Sequence, residues 1–189
     1  MQLVTESDLP ALFEINSSEE VTALLPYARW ESMADAEAWF RRMQGMRDTG
    51  LALQFVVVSK STGAAIGTCL LFRFEEASAR AELGYVLGRA HWGQGLMREA
   101  LQTLVGCAFG SMGLRRLEAE VDTRNRSSAR LLLTLGFTKE GLLRQRWVSK
   151  GAAKDVEIYG LLRDEWPRRE GHGSGANPSM SLGVASSHE

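Results

Sequence analysis

Residues 81–100, Ala-Glu-Leu-Gly-Tyr-Val-Leu-Gly-Arg-Ala-His-Trp-Gly-Gln-Gly-Leu-Met-Arg-Glu-Ala, constrain the fold more than any other stretch of this chain. Leu83, Tyr85 and Leu87 alternate with smaller neighbours, which is the two-residue period of a strand. Met97, Leu101, Leu104, Val105, Ala108 and Met112 then recur at steps of three and four, which predicts a helix that Gly113 closes. Between the two, Gly93 and Gly95 fall where the first backbone N–H groups of the helix have no intrahelical partner. A strand that turns through glycines into a long helix is the opening of a crossover connection, so the chain must mix strands and helices.

The same spacing carries chemistry. Without side chains at 93 and 95 an anion can reach the free amides, and the helix dipole favours its negative charge. A diphosphate cradle and a plain glycine turn both fit these residues. Two nucleotide motifs do not fit. No Gly-x-x-x-x-Gly-Lys-Ser/Thr run occurs, and Arg98 stands where a dinucleotide fingerprint would place its third glycine.

Strands and helices alternate along the rest of the chain. Gln2–Thr5 is a short strand, and Asp8 caps a helix to Asn16. Ser17–Trp30 is irregular, with Pro26 limiting helix. Ser32-Met-Ala-Asp35 resembles a capping box before an apolar stripe of Ala36, Trp39, Phe40, Met43 and Met46. Phe55–Val58, Ala65–Phe74 and the strand bearing Glu82 come next, in that order. After the main helix, Leu117, Ala119 and Val121 alternate with Glu118, Glu120 and Asp122 as a half-buried strand. A helix over Ser127–Leu135 stops at Gly136, and two strands close the chain about Lys150-Gly151. Residues 1–167 form one domain, and 168–189, rich in Gly, Ser and Ala, read as a disordered tail.

Composition removes several classes. A formal net charge of −1, with both signs scattered, argues against a nucleic-acid surface. His91, His172 and His188 are isolated, so no metal-ligand spacing is present. Cys69 and Cys107 sit in apolar contexts, as buried thiols do, and suggest no disulfide framework. No charged-then-apolar leader and no run of ~18 apolar residues occurs, which predicts a cytoplasmic protein away from membranes.

Trp92-Gly-Gln-Gly-Leu-Met97, flanked by its strand and helix, resembles the coenzyme A motif of the GCN5-related N-acetyltransferases, Gln/Arg-x-x-Gly-x-Gly/Ala. Gly95 is the retained glycine, while Trp92 and Met97 replace the first and last positions. Val121-Asp-Thr-Arg-Asn-Arg-Ser-Ser-Ala-Arg-Leu-Leu-Leu-Thr-Leu-Gly-Phe137 and Asp155-Val-Glu-Ile-Tyr159 resemble later blocks of the branch that includes the ribosomal-protein alanine acetyltransferases. The resemblance spans roughly residues 2–166. It implies an α/β fold, a twisted mixed sheet flanked by helices on both faces, whose fourth and fifth strands part to admit a pantetheine arm. It also implies acetyl-CoA as cosubstrate, an amine as acceptor, and a homodimer.

Carried onto this sequence, the resemblance gives each residue a role. Trp92, Gly93, Gln94, Gly95, Leu96, Met97 and Arg98 would form the cofactor-binding turn, with backbone N–H groups from Gln94 to Arg98 on the diphosphate and Met97 turned from its path. Main chain of Tyr85, Val86 and Leu87 would pair with pantetheine, and the N–H of Val86 or Leu87 would face the thioester oxygen. Glu82 is the candidate base. Glu118 and Glu120 read instead as the polar face of a regular strand. Leu132 stands where many family members place an acidic tyrosine, so Ser128 is the candidate acid, directly or through a water, and a cofactor contact, while Asn125 would contact pantetheine or fix a water. Ser127 would cap the helix.

Trp30, Arg29 and Trp147 are candidate acceptor-side residues, and Tyr159 in the last strand is a possible wall of the same pocket, with packing as its alternative. The acceptor is a protein N-terminal α-amine or a small-molecule amine. An α-amine with pKa ~7.7–8.0 is easier to deprotonate than a lysine at ~10.4; at ~1.36 kcal/mol per pH unit the difference is roughly 3–4 kcal/mol. Without a paired Cys–His the expected route is direct transfer. A non-catalytic acyl-CoA-binding module is the competing reading, kept open by Met97 and Leu132.

Overall fold

Strand pairing organises the molecule, which a computed structural model describes over residues 1–166. The tail expected at 168–189 lies outside the described residues. Among the described residues seven strands form one sheet in the order β1-β2-β3-β4-β5-β7-β6. They are β1 (Gln2–Leu3), β2 (Ala52–Val58), β3 (Ala65–Glu75), β4 (Arg80–Leu87), β5 (Arg116–Asp122), β6 (Thr138–Ser149) and β7 (Ala152–Leu162). Every pair is antiparallel except β4 with β5. That pair is parallel because helix α4 (Leu96–Phe109) carries the chain across the sheet between them.

The helices divide by face. Leu101, Leu104, Val105 and Ala108 of α4, with Ala129 and Leu132 of α5 (Arg126–Thr134), join Leu83, Leu117, Ala119 and Val121 in one buried cluster. On the other face, Leu9, Leu12 and Ile15 of α1 (Leu9–Ser17) meet Ala36 and Phe40 of α3 (Met33–Asp48) over Val56. Between those two helices lies α2 (Glu19–Thr22), a short turn before Pro26. Truncating a fully buried leucine such as Leu101 to alanine would cost roughly 2–5 kcal/mol.

Local chemistry fixes the ends. Asp35 accepts from the backbone N–H of Glu31 and Ser32 at 2.8 and 2.9 Å, which starts α3 as the Ser-x-x-Asp pattern predicts. Those bonds hold its carboxyl below the usual range. Asp8 does not cap α1 through its side chain; its carboxylate turns back to the Thr5 N–H at 2.8 Å. Helix α4 ends at Phe109, one turn earlier than the apolar repeat through Met112 suggests, because Gly110 breaks the helical backbone.

Two strands are irregular where they border the site. The β3–β4 register shifts between Phe72 and Glu75, and Arg73 there has φ +52°. The β6–β7 register shifts between Leu143 and Trp147, and Gln145 there also has φ +52°. Such bulges re-aim side chains out of the ladder.

Candidate active site

The parallel β4–β5 ladder runs through Arg80↔Arg116, Ala81↔Leu117 and Glu82↔Glu118, and then stops. Beyond it β4 pairs only with β3, and β5 only with β7, so a wedge opens between them. Its closed end is pinned by ions: Arg80 and Arg116 each donate to Glu118 at 2.8 Å, and Arg116 also grips Glu140.

Alternation decides which groups look into the wedge. The N–H of Gly88 donates to Ile66 O at 2.9 Å, so the N–H of Val86, two residues back, also turns toward β3. The N–H groups of Tyr85 and Leu87 therefore face the opening. Of the two expected donors, Val86 is excluded by this register and Leu87 remains. The Leu87 carbonyl already accepts the Trp92 indole N–H at 2.7 Å, so Trp92 braces the strand end with its side chain.

At the wider end, Gly93 and Gly95 hold φ of +73° and +77°, conformations that cost other residues ~1–2 kcal/mol. A Cβ at either would meet nothing within 4 Å, so the turn is open to a ligand. No side chain caps α4, which leaves the first-turn amides of Leu96, Met97 and Arg98 available. Gln94 folds its amide onto Ala90 O at 2.8 Å. Met97 is buried against Cys69, with the two sulfurs 3.7 Å apart, so its bulk points into the core and away from the turn. These features fit a diphosphate held by main chain.

Glu82 and Ser128 flank the wedge from opposite faces of the sheet. Glu82 is 8% exposed and accepts from Arg73 Nη1 at 2.7 Å. Burial raises its carboxyl pKa, Arg73 pulls it down, and Glu120 and Glu118 push it up, with a net rise. On the other face the Tyr85 hydroxyl lies 2.7 Å from Ser128 Oγ. Burial raises the Tyr85 phenol well above its ordinary value, so it stays a neutral donor.

Asn125 has a part in the fold besides the contact expected of it. Its Oδ1 accepts the Ser128 N–H at 3.1 Å, which makes Asn125 the cap of α5 and leaves Ser127 exposed. Its amide nitrogen remains for other contacts. Leu132 is fully buried in the core.

Glu120, read from alternation as an ordinary polar-face residue, is a junction. It accepts from Arg73 at 3.4 Å, Arg146 at 3.0 Å and the Trp147 indole N–H at 2.7 Å. The two bulges deliver these donors. Strand period alone hides this, because each donor comes from an irregular point in another strand.

The four acceptor-side candidates separate. Trp147 lines a cavity of about 190 Å³ with Leu25, Asp122, Arg124, Lys150 and Lys154. Trp30 does not reach it: it is buried beside Trp39, ring centres 5.4 Å apart. Tyr159 is also core, 2% exposed, its hydroxyl donating to Glu157 at 2.6 Å. Arg29 is exposed and is not part of the cavity wall.

The family of the Acetyltransferase (GNAT) domain matches residues 1–138. The uncharacterised N-acetyltransferase p20 of Bacillus licheniformis is 36% identical over 84% of this chain and 89% of its own length. The ribosomal-protein-serine acetyltransferase of Escherichia coli is 29% identical over 87% and 92%. Among solved structures, Mycobacterium smegmatis RimJ in complex with CoA-disulfide superposes with a TM-score of 0.78, at 23% identity, over 88% of this chain and 82% of that one.

Proposed function

This chain belongs to the GNAT acetyltransferase family and is an acetyl-CoA-dependent N-acetyltransferase, and from that premise we propose direct transfer to a protein N-terminal α-amine with Glu82 as base and Ser128 as acid. The observation that carries the assignment is the placement of Glu82 and Ser128 on either face of the wedge between β4 and β5.

Acetyl-CoA supplies an activated acetyl thioester. In this reading the amides of Leu96, Met97 and Arg98 bind its diphosphate, and the outward main chain of Tyr85 and Leu87 aligns the arm like an added strand. The Leu87 N–H faces the carbonyl oxygen as charge develops; one such donor is worth ~2.7–4 kcal/mol. Glu82 takes a proton from the acceptor amine, directly or through one water. Its raised carboxyl moves the base toward neutral pH, where general bases work best. Ser128, oriented by Tyr85 and by the Asn125 cap, donates toward the leaving sulfur.

An acyl-enzyme on Cys69 is disfavoured by its surroundings. Burial pushes the Cys69 thiol up to about 12, so it carries almost no thiolate at neutral pH. Cys107, expected to be buried from its apolar context, is instead exposed on α4. An α-amine suits a single carboxylate better than lysine does, and a relative named as a ribosomal-protein-serine acetyltransferase makes a protein acceptor the first to test.

The test is release of CoA from acetyl-CoA with peptides of different first residues, beside lysine side-chain and small-amine acceptors. Turnover restricted to free peptide N-termini supports the reading. Turnover on small amines alone, or activity unchanged in Glu82→Gln, sinks it.

A further inference from the structure

We infer that the cavity beside Trp147 binds a carboxylate of the acceptor, so that the preferred amine is one carrying an acidic group close by. The inference rests on the transferase reading above for the position of the amine, and on the cavity's own charges for the rest.

The wall of the cavity brings together Asp122, Arg124, Lys150 and Lys154 around Leu25 and Trp147. Its one carboxylate is already matched. Arg124 donates to Asp122 twice from its side chain, at 2.9 and 2.6 Å, and once from its backbone N–H at 2.9 Å. Those bonds, with smaller help from the charges of Arg124 and Lys154, hold the Asp122 carboxyl below its ordinary range. The two lysines are not matched. Lys150 Nζ donates to the carbonyls of Thr22 and Ala23 at 2.6 and 3.2 Å, partners without net charge. The Lys154 side chain makes no hydrogen bond and no ion pair among the described residues, and its charge reaches Asp122 only as the weakest influence on a carboxylate that Arg124 already holds. Two ammonium charges therefore face a cavity whose acid is consumed, and a carboxylate is the group that complements them.

The cavity is also joined to the reacting end. The Trp147 indole donates to Glu120, Glu120 accepts from Arg73, and Arg73 donates to Glu82. Along β5, Glu118, Glu120 and Asp122 share one face, opposite the core positions Leu117, Ala119 and Val121. The site thus runs from carboxylates at Glu82 to ammonium groups at Lys150 and Lys154. A molecule with an amine at one end and a carboxylate a short distance away lies along that gradient in one direction only, and electrostatic matching of this kind sets specificity and register. An acidic side chain near a peptide N-terminus and the free carboxylate of an amino acid share this chemistry.

The experiment compares affinities of the CoA-loaded protein. Peptide amides with a free N-terminus, differing only as Asp or Asn at the second or third residue, are measured by fluorescence anisotropy through a C-terminal dye. Glutamate and its diamide compete in a separate arm, which distinguishes the amino-acid source from the peptide. The wild type binds the Asp peptide about 10-fold more tightly at low salt, and the preference shrinks as salt rises. Lys154→Met removes the preference and Lys154→Glu inverts it. Equal affinity for the Asp and Asn members, a preference untouched by Lys154→Glu, or no binding of the acidic member at millimolar concentration overturns the inference. CoA release by the same preparations reads the catalytic assignment independently: preference without turnover condemns that assignment, and turnover without preference condemns this one.

Discussion

The phenolic oxygen of Tyr85 lies 2.7 Å from Oγ of Ser128, so a hydroxyl from β4 and one from α5 meet across the core-side face of the wedge. A family tyrosine would have come from α5; here a tyrosine reaches the same helix from the neighbouring strand. Ser128→Ala should lower kcat by about 100-fold, the low end for loss of a proton donor. Tyr85→Phe should lower it by a smaller factor, roughly 5-fold, since Ser128 remains but loses its orienting partner. Steady-state kinetics with saturating acetyl-CoA checks both, and equal losses would point to Tyr85 as the donor.

Glu82 should impose an acidic limb on kcat/KM. Its ionised form is the base, so activity falls as pH drops through its folded pKa, and burial places that limb above the ordinary carboxylate range. Glu82→Gln should remove the limb along with most of the rate. Arg73→Ala deletes the partner that lowers the pKa, so the limb should move to higher pH. A limb that stays in place in Arg73→Ala contradicts the assignment.

Gly95→Ala should weaken CoA without unfolding the protein. The position has φ +77° and open space around a Cβ, so the cost is conformational, ~1–2 kcal/mol. If the turn relaxes to avoid it, the donor amides scatter and Kd rises about 5- to 30-fold. Calorimetry with CoA measures this, alongside Gly63→Ala, a glycine of similar φ in the β2–β3 turn.

Restoring the family tyrosine at Leu132 should fail. Leu132 has no exposed surface and packs among buried apolar residues, so a larger ring with a hydroxyl overfills the core by about 1–3 kcal/mol. Urea unfolding of Leu132→Tyr should show the loss, with no gain in kcat.

Glu157 should contribute stability that acid removes. Lys139 and the Tyr159 hydroxyl hold its carboxyl below the ordinary range, with Lys139 the larger cause. A depressed carboxyl stabilises the fold above the unfolded pKa of ~4.3, and the benefit disappears as pH falls through the folded value. Urea midpoints of wild type and Glu157→Gln should differ at pH 7 and converge toward pH 3.

Much of this architecture was legible in local patterns. The strand, glycine turn and helix of residues 81–109 follow from period and from where Gly93 and Gly95 stand. Ser32 and Asp35 announced α3 through a four-residue signal. What stayed hidden depends on contacts between distant segments. Tyr85 meets Ser128 across 43 positions and Arg73 meets Glu120 across 47, and neither spacing leaves a trace in sequence. An aromatic ring serves pocket and core alike, so sequence does not place Trp30, and packing puts it, with Tyr159, in the core. Asn125 and Ser127 both favour helix starts, and the choice of Asn125 follows from where the chain leaves β5.

The early end of the β4–β5 ladder has a thermodynamic consequence. Past Glu82 and Glu118, each strand keeps one row of peptide groups with no neighbouring strand to bond. The Leu87 carbonyl is taken by the Trp92 indole, and the remaining half-buried backbone groups are costly wherever water cannot reach them. A thioester carrier whose own amides complete those rows relieves that cost, so the melting temperature should climb with CoA concentration even without an acceptor. The least finished part of the sheet is then the part that its substrate is shaped to complete.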